Sequence, residues 1–451
     1  MISRRSFLAG SLTLAAGCTG LPLLRSPAPP HRILVIGAGL AGLSCALDLV
    51  RAGHEVTVLE ATGRAGGRVQ TVRGFRSAQW GELGAEHFGQ GDLAVRSWAS
   101  ELGVPVAETP LTHAIRWRGT THTQQTDDPL VREAWRIWSE WPRWQSTGWV
   151  SEYDDLSLRE HFELEGIDPT VIEILAVLAE GRLGMPLEEI SVPQALADAQ
   201  AWRDTPMRFA QGAESLPAAM AERLGERILC HSAAVLIEIN DQAVAVTTHT
   251  GERLFAHFGV LAIPPRLQSE IEFDPPLPSD TAEALEEIQM APAHRVLLQF
   301  QHRLWEMGGD GAPESLFTDM PLGHVFDATA HQGGERGILR VTASCRLPEE
   351  VAEREERGRH RLFVTWLDEI WPGLSEEFDL GASCDWSAQP WTRGARSLWS
   401  RGQLTSLQPH LTRPIAHLHF AGEHTAPQPG TMDAALTSGR RAAREILHAM
   451  L

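Results

Sequence analysis

The clearest pattern of hydrophobic and polar positions comes directly after the first thirty residues. Ile33–Ile36 is a short unbroken apolar run, typical of a strand buried on both faces of a parallel sheet. Apolar residues then recur at helical spacing over Leu40–Arg51, and a glycine follows soon after. Glu55–Leu59 is again apolar enough for a buried strand. The pattern therefore predicts a strand, a helix and a second strand in succession.

Three glycines, Gly37, Gly39 and Gly42, join the first strand to the helix with the spacing G-x-G-x-x-G. In this motif the first glycine allows a tight turn, the second leaves room for a pyrophosphate, and the third lets helix and strand pack closely. The free N–H groups and positive dipole of the helix start favour bound phosphate. Glu60 comes 18 residues after Gly42, where an acid takes the ribose hydroxyls. We therefore predict a dinucleotide cofactor at these four residues.

The rest of the chain alternates between helical and strand patterns. Residues 93–205 are predicted to be mainly helical, with helices over Leu93–Leu102, Pro129–Trp144, Leu156–Glu165 and Pro169–Leu183. Alternating apolar positions predict strands over Ile228–Ile239, Ala243–Thr248 and Arg253–Ile263. A final helix is predicted over Leu436–Leu451. Four tryptophans three residues apart are interpreted as core residues rather than a cofactor site: Trp135, Trp138, Trp141 and Trp144.

Composition adds exclusions to this picture. At 451 residues the chain is long for one core, so two closely linked domains are expected. The net charge of −19 argues against a nucleic-acid partner. The 19 His and five Cys show no metal-ligand spacing, so we predict no metal, and disulfide pairing stays open. All 39 residues counted as Lys or Arg are arginine.

The first thirty residues are predicted to direct export and then to act as a tether. Ser3–Leu8 is a twin-arginine pattern, and the apolar stretch Phe7–Ala16 behind it is short for a bilayer span. Cys18 follows in a box that resembles a lipoprotein cleavage site, so a lipid anchor at this residue is one expectation. The alternative is an ordinary signal peptide that is cut further on. Either way we expect a periplasmic protein or a membrane-anchored lipoprotein.

A second motif follows the acid directly: Arg64, Gly67 and Arg68 lie in the sequence R-A-G-G-R. At this point the chain resembles the flavin amine oxidase family, which includes monoamine, polyamine and L-amino-acid oxidases. The resemblance implies bound FAD. It also extends to the C-terminal region, where Phe420–Thr425 and Gly430–Ala435 are similar to the family's second flavin motif.

The resemblance implies further cofactor contacts. Gly84 and Ala85 would run along the flavin ring, Val235 would contact adenine through its backbone, and Trp386 would lie beside the flavin. Contacts at the C-terminal motif would come from Gly422, Glu423, Met432, Asp433 and Ala434. Ala395 stands where some relatives carry the cysteine that bonds to flavin, so non-covalent FAD is expected.

Substrate contact is expected at Glu86, His87, Trp386, Arg396 and Thr431. Glu86 is a candidate for a substrate ammonium, and Arg396 for an anionic group, because it adjoins an aromatic wall of the family's sites. The alternative for each charged residue is a solvated position on a turn or loop. Relatives also carry a lysine near residue 270 that contacts flavin N5 through water, whereas this chain has Glu270 closest to that place.

The implied fold is α/β, a Rossmann-like FAD-binding domain built from discontinuous segments plus a smaller α+β substrate-binding domain. The predicted FAD-binding segments are 31–92, 206–265 and 375–451, and the substrate-domain segments are 93–205 and 266–374. The implied reaction is hydride transfer from an amine to flavin N5, giving an imine, with oxygen or a protein or quinone carrier as electron acceptor. Two alternatives stay open: a flavin desaturase or dehydrogenase that passes electrons to a carrier, and an FAD-binding subunit without turnover.

Overall fold

A five-stranded parallel sheet lies at the centre of the first layer. In this computed structural model, residues 29–451 are described except 141–149, 202–204, 308–312, 344, 346, 349, 350 and 352, and residues 31–451 form one compact unit. The strand order across the sheet is Leu418–Phe420, Phe258–Leu261, Arg32–Ile36, Glu55–Leu59 and Ile228–Leu229. Val35 pairs with Val58 on one side and Val260 on the other, so the predicted first strand is central. The predicted export signal and Cys18 lie outside the described residues.

Helices cover one face of this sheet. Leu40–Arg51 packs closely on the last helix, Met432–Ala449, and Ser215–Leu224 and Leu93–Leu102 pack beside them. A Cβ on Gly439 would lie 2.1 Å from the backbone oxygen of Ala41, so the crossing of the first and last helices requires glycine. The last helix begins four residues before the predicted start, because Thr431 caps it by accepting from the Ala434 N–H.

A four-stranded sheet lies on the other side of the parallel sheet. Its order is Arg253–Ala256, Val244–Thr248, Ala234–Ile239 and Glu272–Asp274. Two predicted strands are each divided in the structure, at Cys230–Ala233 and at His257, because the chain passes from one sheet to the other at these points. Apolar side chains from both sheets form the shared core between them.

A seven-stranded sheet forms the second part of the molecule. Its order is Phe378–Asp385, His294–Phe300, Gly337–Thr342, His324–Asp327, Ser315–Thr318, His113–Trp117 and Thr120–Thr123. The last two strands lie within residues 93–205, where mainly helices were predicted. Phe378–Asp385 pairs with His294–Phe300, so the boundary predicted at residue 375 is wrong and the third FAD-binding segment begins after this strand. The turn residues Pro390 and Gly394 follow this strand, whereas the predicted boundary was placed after Pro372 and Gly373.

Helices pack against this second sheet. Their bounds are Pro129–Glu140, Val150–Tyr153, Leu158–Leu164, Pro169–Leu183 and Val192–Ala201. Ser157 caps the third of them in a capping box with Glu160, which is why it begins two residues later than predicted. Trp135 and Trp138 are buried in the helical core, as predicted. Trp141 and Trp144 lie outside the described residues.

The remaining elements are short. Three two-stranded ladders pair Thr71–Val72 with Gly81–Glu82, Val106–Glu108 with Met207–Phe209, and Gln289–Ala291 with Arg396–Leu398. Further helices are Pro265–Gln268, Ser279–Glu287, Glu356–Asp368, Gln403–Ser406 and Gln408–Thr412, with 3-10 turns at Arg76–Ala78, Gly225–Arg227, Leu304–Glu306, Leu374–Glu377 and Glu423–Thr425. Among the described residues, Cys45, Cys230 and Cys384 take part in no disulfide bond. Within the described ranges, no helix combines the length and apolarity that crossing a bilayer requires.

Candidate functional site

A cavity of about 760 Å³ begins at the carboxyl ends of the parallel strands and continues to the seven-stranded sheet. At its first end lie the predicted glycines. Gly37 has φ +106°, and a Cβ on Gly42 would lie 1.9 Å from the Gly37 oxygen, so the turn and the helix packing both require glycine. A Cβ on Gly39 would meet nothing within 4 Å and would occupy the cavity. This open position beside a helix start is a cradle for phosphate.

Three N–H donors at this helix start have no acceptor among the described residues. Leu40–Arg51 begins after Gly39 without a side-chain cap, and the first bond back to Gly39 comes from the Leu43 N–H. The N–H groups of the three residues before Leu43 therefore have no intrahelical acceptor. A dinucleotide pyrophosphate fits this donor set.

Glu60 lies at the end of its strand, as predicted, and lines the cavity with Val235. Its Oε2 accepts from the Ala38 N–H at 2.9 Å, and its Oε1 accepts from the Thr62 N–H at 2.8 Å. The carboxylate thus orients the glycine turn while facing the cavity. Val235 is 44% exposed, which leaves its backbone beside open space at this end.

The two arginines of the R-A-G-G-R motif have different tasks. Arg64 donates to the carbonyl oxygens of Gly67 and Val69 and so shapes the loop around them. Arg68 donates to Glu423 at 2.6 Å and to the Ala395 carbonyl at 3.3 Å. Both arginines line the cavity, but Arg68 also ties the N-terminal motif to the C-terminal one.

The C-terminal motif contributes Gly422, Glu423, Thr431 and Met432 to the cavity wall. Both oxygens of Glu423 are occupied: Oε1 accepts from Arg68 and from Ser397, and Oε2 accepts from the Gly430 N–H at 2.6 Å. The predicted contact of Glu423 with the ribityl or ribose of FAD would therefore use a carboxylate oxygen that already accepts a hydrogen bond from the protein.

Two predicted contacts at the last helix differ in the structure. The Ala434 N–H donates to the Thr431 hydroxyl, so it is not free for flavin. The Asp433 carboxylate accepts from the Ala94 and Val95 N–H groups and caps another helix. Neither Asp433 nor Ala434 is among the residues that line the cavity, because the helix turns them away from it.

Gly84, Ala85 and Trp386 lie together along the middle of the cavity. A Cβ on Gly84 would lie 2.3 Å from the Arg68 oxygen, so this segment packs directly on the motif loop. The Trp386 indole N–H donates to the Leu83 carbonyl at 2.7 Å, which fixes the ring against the same segment. The structure therefore brings these three predicted residues to one place.

Glu86 is buried and His87 is partly buried, with 22% of its side chain exposed, so their alternative as solvated turn residues is wrong. Glu86 forms an ion pair with Arg340, from the seven-stranded sheet. Burial, with nearby guanidinium charges, lowers the pKa of His87 to about 3, so its ring is neutral at neutral pH. Its Nε2 has no hydrogen-bond partner among the described residues.

Arg396 also lines the cavity rather than lying on a solvated loop. Its Nη2 lies 3.2 Å from Asp198 Oδ1. Asp198 also pairs with Arg182, so one carboxylate serves two guanidinium groups. Thr431 lies nearby, at the start of the last helix.

Five residues at this end of the cavity were missed by sequence reasoning: Arg182, Asp198, Arg295, His324 and Arg340. A signal was present for three of them. Arg182 lies in a helix whose residues are mostly buried, and Arg295 and Arg340 each lie in a strand whose residues are mostly buried. A charged residue inside such a run indicates a buried polar site.

The Glu270 position differs from the expectation too. Glu270 is a half-exposed residue on the cavity rim, 3.3 Å from Arg393. The buried cation at the flavin-facing segment is Arg295, which donates to the Gly84 carbonyl.

The model of the family described as flavin containing amine oxidoreductase matches residues 40–447. The chain belongs to this family. The AofH protein of Mycobacterium tuberculosis, named as a flavin-containing monoamine oxidase, is 28% identical over 92% of this chain and 96% of its own length. The L-amino acid oxidase Bs29 of Bothriechis schlegelii is 23% identical over 94% of this chain and 91% of its own length.

Solved structures show the same fold. Putrescine oxidase, in a structure of the wild type bound to putrescine, has a TM-score of 0.82 and 23% identity, and the match covers 94% of this chain and all of that one. Cyclohexylamine oxidase from Brevibacterium oxydans has a TM-score of 0.81 and 20% identity, with 94% of this chain covered. The flavin amine oxidoreductase fold is therefore present over nearly the whole described chain.

The cofactor of this flavin amine oxidoreductase is FAD. Gly39, the open helix start, Glu60 and Val235 would hold its dinucleotide part, and Gly84, Ala85 and Trp386 its ring. Ala395 lines the cavity where some relatives have a cysteine. The nearby Cys384 is buried outside the cavity wall, and burial raises the pKa of its thiol to about 11. Both observations agree with non-covalent FAD.

Proposed function

We propose that this protein oxidises an amine at the carbon that bears the nitrogen and releases an imine, which water hydrolyses. The observation that carries the proposal is the continuity of the cavity, which joins the dinucleotide cradle to a buried polar compartment. When bound, FAD supplies the acceptor for the hydride that leaves this carbon. As the C–H bond breaks, the nitrogen lone pair forms the C=N bond and the nitrogen loses a proton.

The residues around the compartment bind and orient the amine. Trp386 is fixed by its bond to Leu83 and offers a flat apolar wall. His87 is neutral, and with its proton on Nδ1 the unpartnered Nε2 accepts an N–H of the amine. The neutral ring places no further positive charge beside the amine. Only the uncharged amine has a lone pair available for the C=N bond.

An open compartment supports turnover over a role as a cofactor-binding subunit, since such a subunit would have no need to keep space beside the flavin. Oxygen or another carrier accepts the electrons. The chain contains no lysine, whereas many relatives place a lysine beside flavin N5. This difference favours a carrier over oxygen as the electron acceptor.

The test is anaerobic mixing of the FAD-loaded protein with a panel of primary and secondary amines, while the flavin absorbance is followed. We expect bleaching by at least one amine and recovery of the imine-derived carbonyl product. Failure of every amine to bleach the flavin would overturn the proposal. Admission of air afterwards separates the acceptors, because fast return of the absorbance identifies an oxidase and slow return a dehydrogenase.

A further inference from the structure

The end of the cavity at the seven-stranded sheet has an excess of buried positive charge. We call it the arginine compartment and define it by its charged lining residues: Glu86, Arg182, Asp198, Arg295, Arg340 and Arg396. Four guanidinium groups therefore meet two carboxylates.

One guanidinium group of the compartment, that of Arg295, has no ion-pair partner among the described residues. Arg340 pairs with Glu86, and Asp198 is shared by Arg182 and Arg396. Arg295 donates to the Gly84 carbonyl but takes part in none of the ion pairs among the described residues. The charge of Glu82 acts on Arg295 and Arg340 from outside the cavity wall, but burial raises the pKa of Glu82 to about 7. Its compensation of these guanidinium groups is therefore partial at neutral pH, and a bound anion would complete it.

Sheet geometry brings Arg295 and Arg340 together. Arg295 lies opposite Thr342 on the neighbouring antiparallel strand, and Arg340 lies two residues before Thr342. The two arginines therefore project from the same face as diagonal neighbours, at about 7–8 Å, which long side chains span easily. The Arg340 guanidinium is also held 4.6 Å from the centre of the Phe326 ring.

Both side chains have unused donors. The Nε atoms of Arg295 and Arg340 are buried and have no hydrogen-bond acceptor among the described residues. Burial lowers the pKa of each to about 10, which still leaves both charged at neutral pH. His324 and Ser315 lie on the same face and line the same space, and they bond to each other at 2.8 Å.

The pyrophosphate of FAD does not supply the missing negative charge. Its cradle is at Gly39 and the first turn of Leu40–Arg51, on the parallel sheet, whereas the arginine compartment lies on the seven-stranded sheet. The anion must therefore come from another molecule in the cavity, and the substrate is the molecule that occupies this end.

We propose that Arg295 and Arg340 bind an anionic group of the substrate, so that the substrate is an amine that also carries a carboxylate or an equivalent sulfonate. This inference rests on the proposed amine oxidation and adds the substrate class. The structure brings Arg340 into contact with Glu86, the neighbour of His87, from a strand 254 positions later in the chain than Glu86.

The first experiment compares matched amines on the FAD-loaded wild type. The pairs are phenylalanine with phenethylamine, 4-aminobutyrate with butylamine, and taurine with ethylamine. We expect the second-order rate constant of flavin reduction to be at least about tenfold higher for the anionic member of one or more pairs. Equal or faster reduction by every uncharged partner would overturn the anion site while leaving amine oxidation intact. The taurine pair separates sulfonate from carboxylate recognition.

The second experiment uses variants. Arg295→Met is expected to remove most of the preference for the anionic member, measured as the ratio of the reduction rates of the two members of each pair. Arg295→Lys should restore part of the preference, because it keeps the charge. Arg303→Met is the matched control, since Arg303 is a largely buried arginine of the same part of the fold and lies outside the cavity wall. A preference that is the same in Arg295→Met and wild type would contradict the proposal.

A binding measurement keeps the inference testable if variants do not fold or no amine is turned over. Benzoate and benzamide are titrated into the FAD-loaded wild type, and the flavin spectrum is followed. We expect benzoate to perturb the spectrum at concentrations at least about tenfold lower than benzamide. Benzoate binding without bleaching by any amine would reject amine oxidation but retain the anion site. Equal binding of both would reject the anion site.

Discussion

Arg68 Nη1 lies 2.6 Å from Glu423 Oε1, although 355 positions separate the two residues in the sequence. The bond joins the motif that follows the second strand to the motif that precedes the last helix. Burial acts to raise the pKa of Glu423, but the charges of Arg68 and His424 and the hydrogen bonds from Arg68 and Ser397 together outweigh it and lower the pKa to about 2. Glu423 is therefore ionised at any pH at which the protein works.

Breaking this pair should weaken both the fold and FAD binding. Glu423→Gln leaves Arg68 without a counter-charge at a mostly buried site, and we expect a loss of about 2–4 kcal/mol in the free energy of unfolding. FAD affinity should fall with it, since Arg68 lines the cavity. Denaturant unfolding and FAD titration measure the two effects. Glu445→Gln is the control, because Glu445 pairs with Arg441 and does not line the cavity. Equal effects of both variants would contradict this role for Glu423.

Filling the cradle at Gly39 should affect the cofactor alone. Gly39→Ala introduces a methyl group that meets no protein atom within 4 Å, at a backbone conformation that alanine adopts. We expect FAD affinity to fall by about tenfold or more, while the unfolding free energy of the apoprotein changes by less than about 0.5 kcal/mol. Gly333→Ala is the matched control, because its methyl group also meets nothing and Gly333 lies away from the cavity. Unchanged FAD affinity in Gly39→Ala would refute the phosphate cradle.

Glu82 should make stability depend on pH. Burial raises its pKa from 4.5 to about 7, so the stability that it contributes is complete below pH 4.5 and is lost as pH rises through about 7. The Glu82→Gln variant has no such titration. Its unfolding free energy relative to wild type should therefore improve by about 3 kcal/mol between pH 4.5 and pH 8. Urea unfolding of both proteins at the two values measures the change. A difference that is constant with pH would show that Glu82 is not titrating in this range.

The N-terminal region is the basis of a separate proposal, that the chain leaves the cytoplasm by the twin-arginine route. Replacing both Arg4 and Arg5 with lysine should leave the full-length precursor in the cytoplasm, since this route depends on the arginine pair. Arg25→Lys is the control, because Arg25 lies in the predicted tether. Fractionation of cells that produce each variant measures the distribution. Normal export of the double variant would exclude the twin-arginine route.

Lipidation of Cys18 is tested apart from export. Cys18→Ser should move the exported protein from the membrane fraction to the soluble periplasmic fraction if the cysteine carries lipid. The same distribution for the variant and the wild type would favour an ordinary cleaved signal instead.

Much of the cofactor half could be predicted from the sequence, because its residues are neighbours along the chain. Gly37, Gly39, Gly42 and Glu60 lie in one strand-helix-strand unit, where local spacing decides which atoms meet. The exceptions at this half are Asp433 and Ala434. A sequence motif does not show which way a residue faces around the helix axis. In the structure Asp433 caps a different helix, and the Ala434 N–H donates to Thr431 at the start of its own helix.

The substrate half was predicted poorly because its residues meet through sheet pairing. Arg295, Arg340 and His324 lie on three strands, and only the register of the seven-stranded sheet puts them on one face. The boundary predicted at residue 375 failed for the same reason, since pairing of Phe378–Asp385 depends on a distant strand.

The sequence by itself determined that the chain binds FAD in a Rossmann-like unit and that its family oxidises amines. The dinucleotide site follows from contiguous motifs, whose geometry the backbone imposes within a few residues, and FAD and amine oxidation follow from the resemblance of those motifs to the family. Only the tertiary structure decided that Glu86 is paired with Arg340 and that the arginine compartment has an excess of positive charge. The physical reason is that the energy of a buried charge depends on every group around it, and here those groups come from strands and helices that are far apart in the chain.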